Sequence, residues 1–312
     1  MTTPFRSPRT RREFIAAGSA LFALSALSRT KLLAVEPAAP EPIIDVHQHV
    51  PYSARAGDAL IAHQQALGIT TTILLPAGSR FGLAAGVGPY PEAKALAEAH
   101  PELFRWFANE VSYQSDAITS MRRQLEAGAI GIGEQKFDVD SDSAAMQRVA
   151  ELAEEFGVPV LMHFQQGSYN HHIERFHHVL EKHPKVNFIG HAQTFWGHIA
   201  QGYDESDLFP KGPVKAGGLT DRLLADYPNL YGDVSAGSGF NAMSRDEEHA
   251  RAFIARHQDK LLFGSDCSDS PGFGPSCHGA HLLAAIRRLA PDKQAERKIF
   301  FHNARSILKL NR

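Results

Sequence analysis

The chain has 312 residues, of which 43% are hydrophobic and 21% are charged, as expected for a globular protein with a sizeable core. This composition argues against an intrinsically disordered chain. The net charge of −2 and the isoelectric point of about 6.8 offer no basic field for nucleic acid or anionic lipid. We therefore expect a small-molecule partner and no nucleic-acid partner.

Residues 1–40 are predicted to be a cleavable export signal and leader. Arg11 and Arg12 precede an uncharged stretch over residues 14–27, which is too short to cross a bilayer. The sequence TRREFI at residues 10–15 resembles the twin-arginine signature of bacterial signals for folded cargo. We therefore expect recognition by the Tat export machinery, a periplasmic location and no other membrane contact. A basic or disordered tail is the alternative.

From residue 41 onwards, short apolar runs alternate with longer amphipathic segments, which is the pattern of parallel strands joined by helices. The predicted strands are Ile43–Val50, Thr70–Leu75, Phe104–Asn109, Ile130–Phe137, Pro159–Phe164, Val186–His191, Leu230–Ser235 and Leu261–Asp266. The predicted helices include Asp58–Leu67, Pro91–Ala99, Ala144–Phe156, Ile173–Lys182, Leu219–Tyr227, Asp246–His257 and His281–Leu289. This α/β alternation predicts a single domain over residues 41–312, a (β/α)8 TIM barrel. A doubly wound open sheet is the alternative.

Two loop-like stretches stand out in this pattern. Residues 203–218, after the sixth predicted strand, are rich in Pro and Gly and are interpreted as a lid. Cys267 and Cys277 lie in a second loop, after the eighth strand. Their spacing allows either a disulfide in an oxidising compartment or two free thiols.

Ionisable side chains occur where five of the predicted strands end. They are His47 and His49, Glu134 and Lys136, His163, His191, and Asp266. Such groups are costly inside a barrel, so at the carboxyl end of a strand they either disrupt the core or build a site.

His47 and His49 are predicted to share one face of the first strand, with Gln48 pointing the other way. Two neutral imidazoles side by side suit a divalent metal ion. An exposed polar strand is the alternative, but the residues around the pair are apolar.

His163 and His191 each end an apolar run. Either one alone is better explained as a core histidine, but their recurrence at matching strand ends favours a shared site. Asp266 would be a buried, unpaired carboxylate unless a cation or a proton relay accompanies it.

Glu134 and Lys136 share a face of the fourth strand. A buried ion pair that braces the barrel is one interpretation. In the functional interpretation, Glu134 bridges a second metal ion, while Lys136 binds a substrate carboxylate or, if carboxylated, bridges the ions itself.

Taken together, these residues resemble the amidohydrolase superfamily, specifically the amidohydrolase-related group that includes lactonases and zinc-dependent decarboxylases. The resemblance spans Ile43–Leu310. Its motifs are Asp45-x-His47-x-His49, then His163, His191, the sequence FGSD ending at Asp266, and the final segment Asn303–Leu308.

The resemblance implies that His47, His49, His163 and Asp266 bind metal, with His191 as a second-metal ligand or a catalytic residue. The segment Gly131–Glu134 differs from the pattern of the amidohydrolase-related group. It is more similar to the TatD-like nuclease and lactonase branches, in which a strand glutamate bridges two metals. Either one or two divalent ions are therefore expected, with zinc as the expected ion.

The expected chemistry follows from a metal with an open coordination position. Asp266 is assigned as a ligand and proton shuttle, and His191 as a stabiliser of the oxyanion or a ligand of the second ion. Arg80 is a candidate for binding a substrate carboxylate, with a solvated loop arginine as the alternative. Trp196 either lines the pocket or packs under the loop.

Three functions remain open at this stage. The first is hydrolysis of a small-molecule amide, lactone or other ester bond. The second is zinc-dependent, non-oxidative decarboxylation of an unsaturated or aromatic acid. The third is a non-catalytic periplasmic metal-binding role, which would require a closed ligand sphere. A homo-oligomer is compatible with all three.

Overall fold

The computed structural model describes residues 41–78, 86–270, 272 and 274–310. The predicted signal segment 1–40 and the candidate Arg80 lie outside the described residues. Within the described ranges, no helix is long and apolar enough to span a membrane.

The described residues contain eight short parallel strands in two sheets, and neighbouring strands follow chain order. The three-stranded sheet consists of β1 (Ile44–Gln48), β2 (Thr71–Leu74) and β3 (Phe104–Trp106). The five-stranded sheet consists of β4 (Ile132–Gln135), β5 (Val160–His163), β6 (Phe188–His191), β7 (Leu230–Val234) and β8 (Leu261–Phe263). The predicted α/β fold with parallel strands is confirmed, although each of the eight strands is shorter than predicted.

Helices connect these strands. They are α1 (Gly57–Leu67), α2 (Tyr90–Ala99), α3 (Ala117–Glu126), α4 (Ala144–Phe156), α5 (His177–Lys182), α6 (Gln193–Gly197), α7 (Leu219–Asp226), α8 (Ala236–Ser244), α9 (Glu247–His257), α10 (His278–Leu289), α11 (Lys293–Arg297) and α12 (Asn303–Ile307). A 3-10 turn covers Ile173–Arg175 and a π-helical turn covers Lys298–His302.

Helix α4 shows how the sequence sets an element's bounds. Ser143 precedes it and accepts a hydrogen bond from the Met146 N–H at 3.3 Å. Gly157 follows it in the left-handed conformation, with φ of 61°, which glycine adopts without steric cost. The predicted bounds of this helix are confirmed. Helix α10 instead begins three residues before the predicted His281, because Cys277 caps it.

Backbone hydrogen bonds also link the edges of the two sheets. Ile130 N–H donates to Trp106 O at 3.0 Å, and Ala108 forms a parallel bridge with Ile132. At the other edge, Asp266 N–H donates to His47 O at 2.8 Å. The chain beyond β8 therefore lies beside β1.

An apolar cluster packs residues in and beside the strands, near their polar ends, against the end of α12. Its buried members are Ile44, Val46, Ile73, Leu75, Phe107, Leu161, Ile189, Leu262, Ala304, Ile307 and Leu308. Leu161 and Ile189 stand two residues before His163 and His191, and residues two apart share a face of a strand. Burial of each large apolar side chain stabilises the fold by roughly 1.5–3 kcal/mol. The cluster thus gives the polar strand ends a rigid base.

Residues 203–218 are irregular throughout, and α7 begins directly after them. Gln201 N–H donates to Lys215 O at 2.8 Å, and Asn241 of α8 donates through Nδ2 to Pro210 O at 3.1 Å. These bonds anchor the loop to the residues just before it and to α8. Its role as a lid stays a prediction.

Candidate metal centre

His47 and His49 lie at the end of β1, where a register irregularity occurs between Asp45 and Gln48. Their Nε2 atoms are 3.2 Å apart. His47 Nδ1 donates to Asp233 Oδ2 at 2.7 Å, and His49 Nδ1 donates to Leu75 O at 2.6 Å. Because both Nδ1 atoms are engaged with these acceptors, the two Nε2 atoms that face one another are the ones placed to bind a common cation.

Two carboxylates lie near these two Nε2 atoms. Glu134 Oε2 lies 3.7 Å from His47 Nε2 and 3.6 Å from His49 Nε2. Asp266 Oδ2 lies 3.8 Å from His47 Nε2, and its Oδ1 lies 3.5 Å from His49 Nε2. Ligands of a tetrahedral ion with bonds of about 2.0–2.1 Å stand about 3.3 Å apart. The nitrogen–oxygen distances of 3.5–3.8 Å are close to that spacing, so both carboxylates are candidate ligands of an ion held by His47 and His49.

His191 points its Nε2 atom at this group, 3.5 Å from Asp266 Oδ2 and 3.9 Å from Glu134 Oε1. Its Nδ1 atom lies 2.9 Å from the Ser235 hydroxyl, which in turn donates to Asp233 Oδ2 at 2.8 Å. Ser235 accordingly accepts the Nδ1 proton of His191. This network leaves the His191 Nε2 lone pair available to a ligand.

His163 is oriented differently from the other three histidines. Its Nδ1 atom lies 2.5 Å from Glu134 Oε1, and its Nε2 atom lies 3.2 Å from Gln165 Oε1. The first distance is that of a hydrogen bond and is too short for two ligands of one ion. A neutral His163 carries one ring proton, so ligation through Nδ1 requires that proton to lie on Nε2, where Gln165 Oε1 can accept it.

Asp266 is the most accessible of these groups, with 12% of its side chain exposed against 5% or less for the others. The Tyr52 hydroxyl donates to its Oδ1 atom at 3.0 Å. Asp266 also adopts a left-handed backbone conformation, with φ of 40°. Such conformations cost about 1–3 kcal/mol and cluster at functional sites.

Asp45, which opens the sequence motif, does not face the centre. It accepts hydrogen bonds from Ser265 N at 2.9 Å, from Gln64 Nε2 at 2.9 Å and from His47 N at 3.0 Å. Asp45 therefore holds the ends of β1 and β8 together.

The electrostatics of the centre are dominated by burial and by opposite charges. Burial opposes the ionisation of Glu134, but the charge of Lys136 and the contact with His163 hold the pKa of its carboxyl well below the usual value. For Asp266, His47 and His191 likewise outweigh burial and keep the pKa low. Burial lowers the pKa of His163 to about 4. Both carboxylates are thus charged and His163 is neutral at pH 7, as metal ligation requires.

The other candidates from the sequence lie around this group. Lys136 Nζ is 5.6 Å from the ring centroid of Tyr169. No hydrogen bond or ion pair joins Lys136 to Glu134 within the part of the chain that the structure describes. Trp196 is 2% exposed, and its indole N–H donates to Asp233 O at 2.9 Å. That placement favours packing over lining of the pocket.

The sequence analysis missed Asp233, which is fully buried on β7. Its Oδ2 atom contacts His47 and lies 3.3 Å from His191 Nδ1. The signal was a lone carboxylate inside an apolar strand, one residue before the last position of β7.

Gly264 explains part of the FGSD motif. A Cβ atom at this position would lie 2.3 Å from Asp233 Oδ1 and 2.9 Å from His47 Cβ. Because both neighbours are buried and held by hydrogen bonds, no side chain can be accommodated there. The glycine thus permits the close packing of β8 against the Asp233–His47 pair.

Comparison with solved structures places this fold among known proteins. An uncharacterized TIM-barrel protein from Bordetella bronchiseptica is 16% identical, with a TM-score of 0.63 over 86% of this chain and 99% of its own. A probable 2-pyrone-4,6-dicarboxylic acid hydrolase from Acinetobacter baumannii is 13% identical, with a TM-score of 0.57 over 86% and 99%. A 5-carboxyvanillate decarboxylase from Sphingomonas paucimobilis is 12% identical, with a TM-score of 0.54 over 86% and 99%. At these identities the likeness shows the fold alone.

Sequence comparison supplies the family. A search of curated proteins finds no match. The profile described as "Amidohydrolase" matches residues 44–310, which include every strand and the whole candidate centre. The family and its structural neighbours include metal-dependent hydrolases and decarboxylases, in accord with the grouped His, Asp and Glu side chains. The chain therefore belongs to the amidohydrolase family.

Proposed function

We propose that the protein is a metal-dependent hydrolase that cleaves an amide, lactone or other ester bond of a small molecule. The observation that carries this proposal is the convergence of His47, His49, Glu134 and Asp266, whose nitrogen–nitrogen and nitrogen–oxygen distances are 3.2–3.8 Å. His191 adds a fifth donor at the edge of this group. Such a mixed imidazole and carboxylate sphere suits Zn2+.

A divalent ion held there would supply Lewis-acid activation of water and of a substrate carbonyl. The remaining steps belong to the chain. Asp266 accepts a proton from the attacking water and returns it to the leaving nitrogen or oxygen. Its partial exposure and the Tyr52 hydrogen bond to Oδ1 leave Oδ2 for this transfer. His191 Nε2 carries a lone pair, since Nδ1 donates to Ser235, and would serve as a ligand of a second ion; stabilisation of an oxyanion would require a proton on Nε2.

Glu134 and His163 determine whether one or two ions bind. Glu134 presents Oε2 to His47 and His49, and Oε1 to His163 and His191. A carboxylate that faces two histidine pairs in this way is placed to bridge two ions. We propose that these residues would hold two ions, and that the single ring proton of His163 moves from Nδ1 to Nε2, beside Gln165 Oε1, when the second ion binds.

Decarboxylation is the second candidate, and the solved 5-carboxyvanillate and 2,6-dihydroxybenzoate decarboxylases with this fold favour it. In that reaction Asp266 would instead protonate the carbon that loses carbon dioxide. Lys136, beside the centre, would in either reaction attract a substrate carboxylate.

Two further proposals concern the whole chain. We propose that β1–β8 close into a (β/α)8 barrel, which the hydrogen bonds from Ile130 to Trp106 and from Asp266 to His47 support. We also propose that residues 1–40 direct Tat-dependent export to the periplasm. The TRREFI sequence supports that proposal.

One experiment separates the candidate functions. Purified protein loaded with Zn2+ is incubated in ¹⁸O-labelled water with a panel of lactones, amides, esters and hydroxylated aromatic acids. Metal-dependent incorporation of ¹⁸O into a product supports hydrolysis, whereas release of carbon dioxide without that label indicates decarboxylation. Absence of turnover across the panel, together with full metal loading, would favour the non-catalytic role. Metal-stripped protein is the control.

A further inference from the structure

We infer that His63, Cys267 and Cys277 form a second metal site, which binds a thiophilic divalent ion such as Zn2+. One ligand atom from each residue lies within 4.8 Å of the other two. The residues are 0%, 2% and 0% exposed, and both cysteines are free thiols. None of the three belongs to the centre described above.

The imidazole of His63 is already oriented to accept an ion. Its Nδ1 atom lies 3.1 Å from Gln64 Oε1. The Gln64 amide nitrogen donates to Asp45 at 2.9 Å and to Thr72 at 2.8 Å, so its oxygen must be the atom that faces His63. The Nδ1 atom therefore carries the proton. The bare Nε2 atom faces Cys277 Sγ at 3.5 Å.

Cys277 caps α10 through its sulfur atom. It accepts the Ala280 N–H at 3.4 Å, at the first turn of α10. A helix N-terminus and backbone N–H donors stabilise negative charge on sulfur. Hydrogen bonds of this kind also support ligands of metal sites from the outside.

Bound Zn2+ satisfies all three side chains, whereas a disulfide does not. A Cys267–Cys277 disulfide would have no S–H group to donate to His63 Nε2, and a buried acceptor without a donor costs about 1–3 kcal/mol. Binding of Zn2+ replaces the two thiol protons, which pass to solvent, and needs no oxidant. Two thiolates and one imidazole are a preferred zinc donor set, with water as the fourth ligand.

Such an ion would brace the segment that carries Asp266. The three ligands come from α1, from the residue directly after Asp266 and from the N-cap of α10. Cys267 O also accepts a hydrogen bond from Gln48 Nε2 at 3.0 Å, and Gln48 lies between His47 and His49. The sulfur site therefore connects to β1 through the side chain of Gln48 and to Asp266 through the peptide backbone.

The donor sets of the two sites allow a clean test, because only the proposed site contains sulfur. Reduced, full-length protein is loaded with Co2+, and its near-ultraviolet spectrum is recorded. A sulfur-to-cobalt charge-transfer band is expected in the wild type and in His47→Ala/His49→Ala. The band should be lost in Cys267→Ser/Cys277→Ser, which should also bind one Zn2+ fewer per chain than the wild type.

Absence of the charge-transfer band in reduced wild-type protein would overturn the inference. A band that persists in the double serine variant would overturn it as well. If that variant does not fold, the wild type alone decides, because bound Zn2+ should protect both thiols from alkylation until a chelator is added. Unprotected thiols in Zn2+-loaded protein would count against the site. The His47→Ala/His49→Ala variant lacks two ligands of the proposed hydrolase centre. A band in that variant therefore tests the sulfur site independently of the proposed function.

Discussion

The Nδ1 atom of His47 lies 2.7 Å from Oδ2 of Asp233, a carboxylate that is fully buried on β7. The same oxygen lies 3.3 Å from Nδ1 of His191. A carboxylate behind a ligating imidazole fixes its tautomer and raises its basicity, and loss of such a partner typically costs about 10–100-fold in metal affinity or activity. Asp233→Asn is therefore expected to weaken metal binding by about that factor.

The measurement is metal affinity by competition with a chelating dye, at a pH where the wild type is fully loaded. Asp221→Asn is the matched control, because Asp221 also pairs with a buried histidine, His257, at 2.6 Å but lies outside the centre. The control should bind metal normally. Equal metal affinity in Asp233→Asn and the wild type would contradict the role given to Asp233.

Asp266→Asn tests the proton shuttle. The amide keeps the shape and one oxygen for coordination but lacks the basic site, so kcat per bound ion should fall by about 10²- to 10⁴-fold with little change in KM. The rate is divided by the metal content of the same sample. If the metal-loaded fraction turns over at the wild-type rate, Asp266 only balances charge.

Tyr52→Phe tests whether the hydrogen bond to Asp266 positions the carboxylate. Loss of one hydrogen bond is worth about 0.5–1.5 kcal/mol, and 1.36 kcal/mol corresponds to tenfold in rate. We expect kcat to fall by up to about tenfold while metal content stays unchanged. Tyr227→Phe is the control, because its hydroxyl donates to Glu181 on the surface at 2.7 Å. A rate equal to that of the control would rule out this role.

The sequence predicted the candidate centre well where a polar residue ended an apolar strand. His47, His49, His163, His191 and Asp266 all follow such runs, and their side chains meet because carboxyl ends of parallel strands lie at one edge. Asp233 was missed, although it stands one residue before the end of β7, as Glu134 does in β4. The His63–Cys277 contact joins residues 214 apart in the chain, and no local pattern predicts it.

Other differences have equally local causes. Helix α4 was predicted to the residue because Ser143 and Gly157 mark its two ends in the sequence. Helix α10 was predicted too short because a cysteine caps it, and cysteine is not among the usual N-cap residues. The ion pair between Lys136 and Glu134 was predicted because residues two apart point to the same face of a strand. This rule places two side chains on one face but does not fix where a long, flexible side chain ends.

Export is tested by a change in the signal alone. If residues 10–15 are a twin-arginine signature, Arg11→Lys/Arg12→Lys should leave the precursor in the cytoplasm. Arg9→Lys, which alters a nearby charge but not the pair, should be exported normally. Cell fractionation followed by immunodetection measures both. Normal export of the double variant would refute the Tat assignment.

The last prediction concerns stability and pH, at a site remote from the metal centre. Asp221 of α7 accepts hydrogen bonds from Arg256 at 2.6 Å and from His257 at 2.6 Å, both on α9. Burial opposes its ionisation, but these partners outweigh burial and hold the pKa of the carboxyl below its usual 3.8. Because the folded-state pKa is depressed, the carboxylate stabilises the fold fully above pH 3.8, and this contribution is lost as pH falls through the folded-state value.

Asp221→Asn should therefore lower the free energy of unfolding by about 1.5–3 kcal/mol at pH 7, the range for hydrogen bonds to charged groups. The difference from the wild type should shrink below pH 3.8. Urea denaturation of metal-stripped protein from pH 7 to pH 3 measures it, with Asp259→Asn as the control because that side chain is 68% exposed. A difference between Asp221→Asn and the wild type that stays constant down to pH 3 would show that the pair does not depend on the charge of Asp221.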